Sequence, residues 1–132
     1  MNENLIKPAL EVRKNAYSPY SGFCVGAALL CADGDIFTGV NIENSSYGGT
    51  ICAERSAFAS AVSMGKRDFK AIAIVGAPYG EKIAKLCYPC GICRQFMLEF
   101  CSDDFEIILF DGKNTVTKTL GELLPEGFRL ED

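Results

Sequence analysis

The sequence predicts an α/β fold, a three-layer α-β-α sandwich around a five-stranded mixed sheet. Segments with the three- to four-residue apolar spacing of helices alternate with short apolar segments typical of strands, and turn residues separate them. The stretch 70–78 is almost continuously apolar, which is typical of a central strand covered on both faces. Because 132 residues suffice for one continuous core, we expect a single domain, 1–132.

The first half of the chain predicts a helix, a β-hairpin and a second helix. Residues 3–16 place apolar side chains at helical steps and end at "YSPYSG". Residues 23–42 form two strand-like segments around Asp33-Gly34, a pair typical of hairpin turns. Residues 50–64 are rich in alanine at helical spacing, and the glycine that follows is placed to end this helix.

The second half predicts a strand, a helix and a second hairpin. After the strand at 70–78, residues 90–100 carry an apolar helical face, and 105–110 and 115–120 are strand-like segments around the tight turn "DGKN". One helical turn and a tail follow. The resulting order, α-β-β-α-β-α-β-β, predicts a mixed sheet with helices on both faces.

Charge and hydropathy narrow the class of partner. The net charge is −4 and no run of basic residues is present, so we expect a small molecule rather than a nucleic acid as partner. The longest apolar run, "VGAALLCA", is too short to span a bilayer, and the N-terminus lacks the pattern of an export signal. We therefore expect a cytoplasmic protein that does not bind membranes.

The cysteines are the first candidates for chemistry. The chain has seven cysteines and no histidine, so a zinc site must be built from thiolates. Cys90 and Cys93 lie at the start of one predicted helix and Cys52 at the start of the preceding one, where a helix N-terminus lowers the pKa of a thiol. Three thiolates would leave one tetrahedral position of the zinc ion open, which indicates catalysis rather than a structural site.

Glu54 and Arg55 directly follow the first of these cysteines. Positions two apart on a helix do not face each other, so we expect Glu54 to flank the open position rather than share the metal with Cys52. There it can take a proton from the zinc-bound water and later deliver it, a task that this chain cannot give to histidine. Three thiolates make the site negative overall, and Arg55 is the cation that we expect to offset this charge.

Other readings of the cysteines stay open from the residues alone. Cys90 and Cys93 by themselves could form a redox pair or half of a zinc ribbon. Cys87 is evenly spaced with them and could serve as a fourth ligand, although Pro89 separates it from the helix. The remaining cysteines lie in strand or helix patterns and are expected to be small buried residues: Cys24, Cys31 and Cys101.

Five motifs together resemble those of one enzyme family. "TICAER" and "PCGICRQ", with "VGAAL", "NIENSSY" and "LLPEGF", make the chain similar to the small homotetrameric zinc-dependent cytidine deaminases over nearly its whole length. The resemblance implies one Zn²⁺ per subunit, a homotetramer with active sites near subunit interfaces, and a place in pyrimidine salvage. It also implies hydrolytic deamination of cytidine and 2′-deoxycytidine to uridine and 2′-deoxyuridine, in which zinc-bound hydroxide attacks C4 while Glu54 shuttles protons.

The same resemblance assigns roles to seven positions. Asn41 and Glu43 would hold the ribose hydroxyls from an extended segment, although from spacing alone they would simply end a strand. Phe23 would pack on the nucleoside and Phe128 would reach a neighbouring subunit's site, although by default both would be core aromatics. The backbone of Ala53 would contact the base, and the ligand sulfurs would be supported by Arg55 and Gln95.

Three rival functions remain to be tested. An enzyme resembling blasticidin S deaminase would share the cysteine motifs but have another substrate pocket, whereas "NIEN" and "FCVGAAL" favour cytidine. Polynucleotide deaminases resemble a version of the fold with a helix between the last two strands, where "DGKN" predicts a tight turn. A zinc module that serves only stability would not need Glu54.

Overall fold

The centre of the fold is a mixed sheet. The computed structural model describes residues 2–130. The strands are β1 (Phe23–Cys31), β2 (Ile36–Val40), β3 (Phe69–Pro78), β4 (Glu106–Phe110) and β5 (Thr115–Thr119). Their order is β2-β1-β3-β4-β5; β3 and β4 run parallel, and the other neighbours run antiparallel. The predicted five-stranded mixed sheet is confirmed.

Helices cover both faces of this sheet. They are α1 (Ile6–Val12), α2 (Ala53–Ser63), α3 (Gly91–Phe100) and α4 (Leu120–Leu123). α1 packs on one face, and α2 and α3 pack on the other, so the predicted three-layer α-β-α sandwich is confirmed. Within residues 2–130, none of the helices has the length and apolarity that crossing a membrane requires.

β3 contributes to the core on both of its faces. Ile72 and Ile74 pack toward α2 and α3, whereas Ala73 and Val75 pack toward α1. All four side chains are fully buried, as expected of a central strand with a continuously apolar sequence. The small alanines on the α1 side allow that helix to approach the sheet closely.

Two helices differ from the sequence prediction at their ends. The first helix has 3₁₀ turns at Asn2–Leu5 and Arg13–Asn15 on either side of α1. α2 begins at Ala53, three residues later than predicted, because Ile42 and Ile51 exchange two backbone hydrogen bonds of 2.9 and 3.0 Å. This bridge holds residue 51 in an extended conformation until the helix starts.

A glycine on β2 sets how close α2 lies to the sheet. A Cβ atom at Gly39 would come within 2.4 Å of the Ala57 nitrogen and 2.5 Å of the Ala53 oxygen. Only glycine therefore permits the first two turns of α2 to rest on β2 at this distance. The N-terminus of α2 is fixed in place by this contact.

The two predicted hairpins and the final helical turn are confirmed. Asp33 Oδ1 accepts a hydrogen bond from the Asp35 amide, and Gly34 has a φ of 98° in the first turn. In the second turn, Asp111 Oδ1 accepts hydrogen bonds from the amides of Lys113 and Asn114 at 2.9 and 2.7 Å. The last two strands are thus joined by a tight turn.

Candidate active site

Three cysteines meet where α2 and α3 begin. Cys52 is the N-cap of α2, Cys90 is the N-cap of α3, and Cys93 lies in the first turn of α3. Their Sγ atoms all lie within 4.8 Å of one another, and Cys52 and Cys90 are 3.7 Å apart. The predicted convergence of the three sulfur atoms is confirmed, and the cluster does not include Cys87.

The ends of the two helices favour negative charge at this cluster. Among the described residues, neither Cys52 nor Cys90 makes a side-chain capping hydrogen bond, so the N–H groups of the first helical turns are not capped by these side chains. The positive ends of two helix dipoles therefore meet at the cluster. Such ends stabilise thiolates, the form of cysteine that binds metal.

Hydrogen bonding between the sulfurs has the same effect. The pKa of Cys52 lies below its usual range, chiefly because Cys93 donates a hydrogen bond to its sulfur. The same bond and burial raise the pKa of Cys93. Three soft sulfur donors at this spacing, one of them poised to lose its proton, fit a tetrahedral zinc ion with one remaining position.

Glu54 is a buried carboxyl group beside this cluster. It lies in the first turn of α2 and is 4% exposed. Burial raises its pKa to about 7 from an ordinary value of 4.5, and the charge of Cys52 adds to the rise. A carboxyl group with this pKa can both accept and donate a proton near neutral pH.

Arg55 supplies a positive charge at the same place. Its Nη2 donates to Cys52 Sγ at 3.6 Å, and the guanidinium also interacts with Cys93. Its Nε is buried and has no hydrogen-bond partner within residues 2–130. The Arg55 side chain therefore faces the sulfur atoms whose negative charge it is expected to offset.

Asn41 and Glu43 face the start of β1 from an extended segment. Asn41 Oδ1 accepts from the Val25 amide at 2.9 Å, and its Nδ2 donates to the Phe23 carbonyl at 2.8 Å. Glu43 accepts hydrogen bonds from the amides of Tyr20 and Ser21 at 2.9 and 3.1 Å and from the Ser21 hydroxyl. The two side chains point the same way, as their alternate positions predict.

Phe23 and Cys87 connect this segment to the cysteine cluster. A Cβ atom at Gly76 would lie 2.8 Å from both Cys87 Sγ and Phe23 Cε2, so both side chains rest on this glycine. Phe23 is 38% exposed rather than buried in the core. Burial raises the pKa of Cys87 to about 12, and the charges of Glu54 and Cys52 contribute. Cys87 is thus a neutral thiol close to the candidate site.

The remaining predicted residues lie at α2 and at the C-terminal tail. Ala53 is fully buried in the first turn of α2. Gln95 Nε2 donates to the carbonyl of Phe128 at 3.0 Å, so its observed hydrogen bond goes to the tail rather than to a ligand sulfur. The Phe128 side chain is 68% exposed. Its predicted contact with a neighbouring subunit stays a prediction.

Sequence reasoning missed two residues that hold segments carrying predicted site residues. Ser21 contacts the Glu43 carboxylate, and Arg129 fixes the tail by donating to the carbonyls of Leu98 and Cys101, both at 2.8 Å. Neither residue carries a spacing signal. Each contacts residues that are distant in sequence and come close to it only in the folded chain.

Comparison with known proteins agrees with this geometry. Residues 1–109 match the family described as the cytidine and deoxycytidylate deaminase zinc-binding region. The cytidine deaminase of Sporosarcina psychrophila is 47% identical over 131 residues, covering 98% of this chain and 93% of that protein. The crystal structure of cytidine deaminase from Burkholderia pseudomallei superposes with a TM-score of 0.87 at 42% identity, covering 97% of this chain and 99% of that one.

A further relative acts on another substrate according to its name. The blasticidin-S deaminase of Bacillus cereus is 38% identical over 104 residues, covering 76% of this chain and 74% of that protein. Similarity therefore extends across members of one family that differ in substrate. With the family match spanning most of the chain and the zinc-compatible cysteine cluster in place, the chain belongs to the cytidine and deoxycytidylate deaminase family.

Proposed function

We propose that this protein converts cytidine and 2′-deoxycytidine to uridine and 2′-deoxyuridine by zinc-dependent hydrolysis. Water adds at C4 of the pyrimidine, the bond between C4 and the exocyclic nitrogen breaks, and ammonia leaves. The observation that carries the proposal is the buried Glu54 carboxyl, with a pKa of about 7, beside three convergent cysteine sulfurs.

Cys52, Cys90 and Cys93 would hold the zinc ion, one in each subunit. When bound, zinc supplies the Lewis acidity that activates water at neutral pH. Arg55 offsets part of the negative charge of the three thiolates through its contact with Cys52. The two helix N-termini contribute in the same direction.

Glu54 carries the protons. Its carboxylate accepts a proton from the attacking water and delivers it to N3 of the base, and a second transfer allows the amino group to leave as ammonia. Burial raises the pKa of Glu54 above its ordinary value, which favours a carboxyl that can both accept and release a proton near neutral pH. The buried position also keeps bulk water away from the carboxyl during the exchange.

The nucleoside would be held by the residues on the other side of the site. Phe23 packs against the nucleoside and the backbone of Ala53 contacts the base. Asn41 and Glu43 hold the sugar hydroxyls. Phe23 and Cys87 both pack on Gly76, and Cys87 interacts with Glu54 and Cys52. These contacts support the arrangement, because they place the aromatic side chain near Glu54 and Cys52.

We also propose that the chain is a single domain, 1–132, that works as a homotetramer in the cytoplasm, in pyrimidine salvage, with no nucleic acid or membrane as partner. Exposed apolar side chains support an assembly: Ile92 on α3 is 65% exposed and Phe128 on the tail is 68% exposed. Phe128 would complete the site of a neighbouring subunit, and Gln95 would hold the tail that carries it.

The test is uridine formation from cytidine by the zinc-loaded protein, with Glu54→Gln measured beside it. The wild-type protein should turn over, and Glu54→Gln should bind one zinc per subunit, fold normally and lose at least about 100-fold in kcat. If Glu54→Gln keeps wild-type turnover, the proposed role of Glu54 is wrong. If neither protein deaminates cytidine while both hold zinc, cytidine is the wrong substrate or the zinc site is purely structural.

The second candidate is blasticidin S deamination, favoured by the similarity to the Bacillus cereus protein. Both activities would use the same cysteines and Glu54, so the pocket decides between them. Measuring kcat/KM for cytidine and blasticidin S on the same preparation separates the two. A higher value for cytidine supports the first proposal, and a higher value for blasticidin S replaces it.

A further inference from the structure

The carboxylate of Glu43 is largely occupied by its own chain. Three hydrogen bonds reach it from the loop before β1: the amides of Tyr20 and Ser21 donate to Oε1, and the Ser21 hydroxyl donates to Oε2. An ionised carboxylate can accept about four hydrogen bonds. Oε2 thus retains room for one further donor, and its direction is set by the three bonds already made.

Ser21 is the residue that links this carboxylate to β1. Its Oγ accepts a hydrogen bond from the Phe23 amide at 3.0 Å while its hydroxyl proton goes to Glu43. The Phe23 carbonyl in turn accepts from Asn41 Nδ2 at 2.8 Å. The three residues proposed to hold the nucleoside therefore form one hydrogen-bonded unit: the Phe23 backbone and the side chains of Asn41 and Glu43, with Ser21 as the link to Glu43.

We propose that Ser21 is a positioning residue that orients the Glu43 carboxylate for recognition of a sugar hydroxyl. This inference rests on the proposed function, because it takes the nucleoside sugar as the remaining donor. Ser21 does not itself need to touch the nucleoside. Removing the Ser21 hydroxyl should therefore weaken binding only of ligands that carry the sugar hydroxyls that bind Glu43.

The electrostatics agree with this role. The hydrogen bond from the Ser21 hydroxyl is the main cause that holds the pKa of Glu43 below its usual value, and the amides of Ser21 and Tyr20 add to it. Glu43 is ionised at neutral pH even at its ordinary pKa, so the lowered pKa reflects how these three hydrogen bonds hold the carboxylate. A carboxylate is the strongest neutral-pH acceptor that a side chain can offer to a hydroxyl donor.

A purely structural role for Ser21 would give a different pattern. If Ser21 only stabilised the loop, its loss would affect every ligand equally, because Phe23 and the base would shift together. If it acts through Glu43, binding of a nucleoside without 2′- and 3′-hydroxyls should not change. The pair uridine and 2′,3′-dideoxyuridine, used as competitive inhibitors, separates these two roles.

The test uses the zinc-loaded protein and the variants Ser21→Ala and Ser45→Ala. Ser45 is the matched control, since its hydroxyl pairs with the Tyr20 hydroxyl at 2.7 Å in the same region. For Ser21→Ala we expect the KM for cytidine and the Ki for uridine to rise about tenfold, the size expected for a lost hydrogen bond to a charged group. The Ki for 2′,3′-dideoxyuridine and kcat should stay within about twofold of the wild-type values.

The double variant Ser21→Ala/Glu43→Gln tests whether Ser21 acts through Glu43. In the Glu43→Gln background, removing the Ser21 hydroxyl should change the Ki for uridine by less than about twofold. Equal changes for uridine and dideoxyuridine, or additive effects of the two substitutions, would overturn the inference. If Ser21→Ala does not fold, Ser21→Cys, whose thiol is a weak donor, takes its place with the same expected outcomes.

Failure of the inference and failure of the proposed function look different. A wild-type protein that deaminates cytidine while Ser21→Ala treats both inhibitors alike removes only the role of Ser21. A wild-type protein that neither deaminates cytidine nor binds uridine overturns the proposed function and this inference with it.

Discussion

The guanidinium of Arg55 lies against the sulfur of Cys52, with Nη2 3.6 Å from Sγ. Both residues belong to the start of α2, three positions apart, and Arg55 also interacts with Cys93 on α3. A positive charge is thereby built into the cluster before any metal binds.

The first prediction concerns that charge. Arg55→Gln should retain zinc but deaminate about tenfold more slowly, because a more negative site makes the activated water less acidic. The acidic limb of the pH–rate profile should move to higher pH. Arg67→Gln, on an arginine that instead binds the carbonyls of Val62 and Lys66, is the control. An unchanged pH–rate profile in Arg55→Gln would contradict charge compensation.

The second prediction separates the cysteines. Cys93→Ser should lose zinc and activity, whereas Cys87→Ser should keep one zinc per subunit, because Cys87 is outside the cluster and burial raises its pKa to about 12. Zinc content by atomic emission and thermal unfolding of both variants provide the measurement. Zinc loss from Cys87→Ser would make Cys87 a fourth ligand and close the open position.

The third prediction concerns the pH dependence of stability without metal. Between about 4.5 and about 7, folded Glu54 keeps a proton that the unfolded chain has released, so its contribution makes the protein less stable as pH rises. Glu54→Gln should remove this loss. The variant should match wild type near pH 4 and exceed it by about 3 kcal/mol at pH 8 in urea unfolding of the metal-free proteins. Equal stability at pH 8 would show that the Glu54 pKa is not raised.

The fourth prediction tests the proposal that Phe128 completes the active site of a neighbouring subunit. Phe128→Ala should reduce activity without zinc loss, and Glu54→Gln should be inactive. If Phe128 completes a neighbour's site, unfolding and refolding the two variants together should form mixed assemblies that recover part of the activity, since some sites then contain both native residues. Light scattering reports the assembly state. No recovery in mixed tetramers, or full activity in a monomer, would exclude the intersubunit role.

The fifth prediction concerns Gly39. Gly39→Ala should destabilise the protein by about 1–3 kcal/mol, because a Cβ there would come within 2.4 Å of the Ala57 nitrogen and push α2 from the sheet. Activity should fall as well, since Cys52 and Glu54 move with the helix. Gly48→Ala is the control, because a Cβ at Gly48 meets nothing within 4 Å. Equal melting temperatures for the two variants would contradict this account.

The sequence was sufficient for the arrangement of elements and for the cysteine cluster. Apolar spacing located every strand, and the cysteines at predicted helix starts were enough to expect that Cys52, Cys90 and Cys93 converge. Cys24, Cys31 and Cys101 are buried, as their strand and helix patterns predict. These features depend on local patterns, which can be recognised in the sequence without knowledge of the fold.

What the sequence could not give depends on contacts between distant segments. The start of α2 was placed too early because the bridge between Ile42 and Ile51 has no local signal. Gln95 binds the Phe128 carbonyl because the tail returns to α3, a path that spacing does not reveal. Ser21 likewise becomes relevant only once the loop before β1 meets Glu43.

The bridge between Ile42 and Ile51 also matters for how this protein can diverge. Because its two hydrogen bonds hold both ends of the stretch 43–50, residues can be added to or removed from its exposed middle, around 45–48, at modest cost in closure entropy. Cys52 on one side and Asn41 on the other would keep their positions. The fold thus contains a surface segment that can change in length between two fixed anchors, which gives evolution or an engineer a place to add new contacts without moving the cysteine cluster.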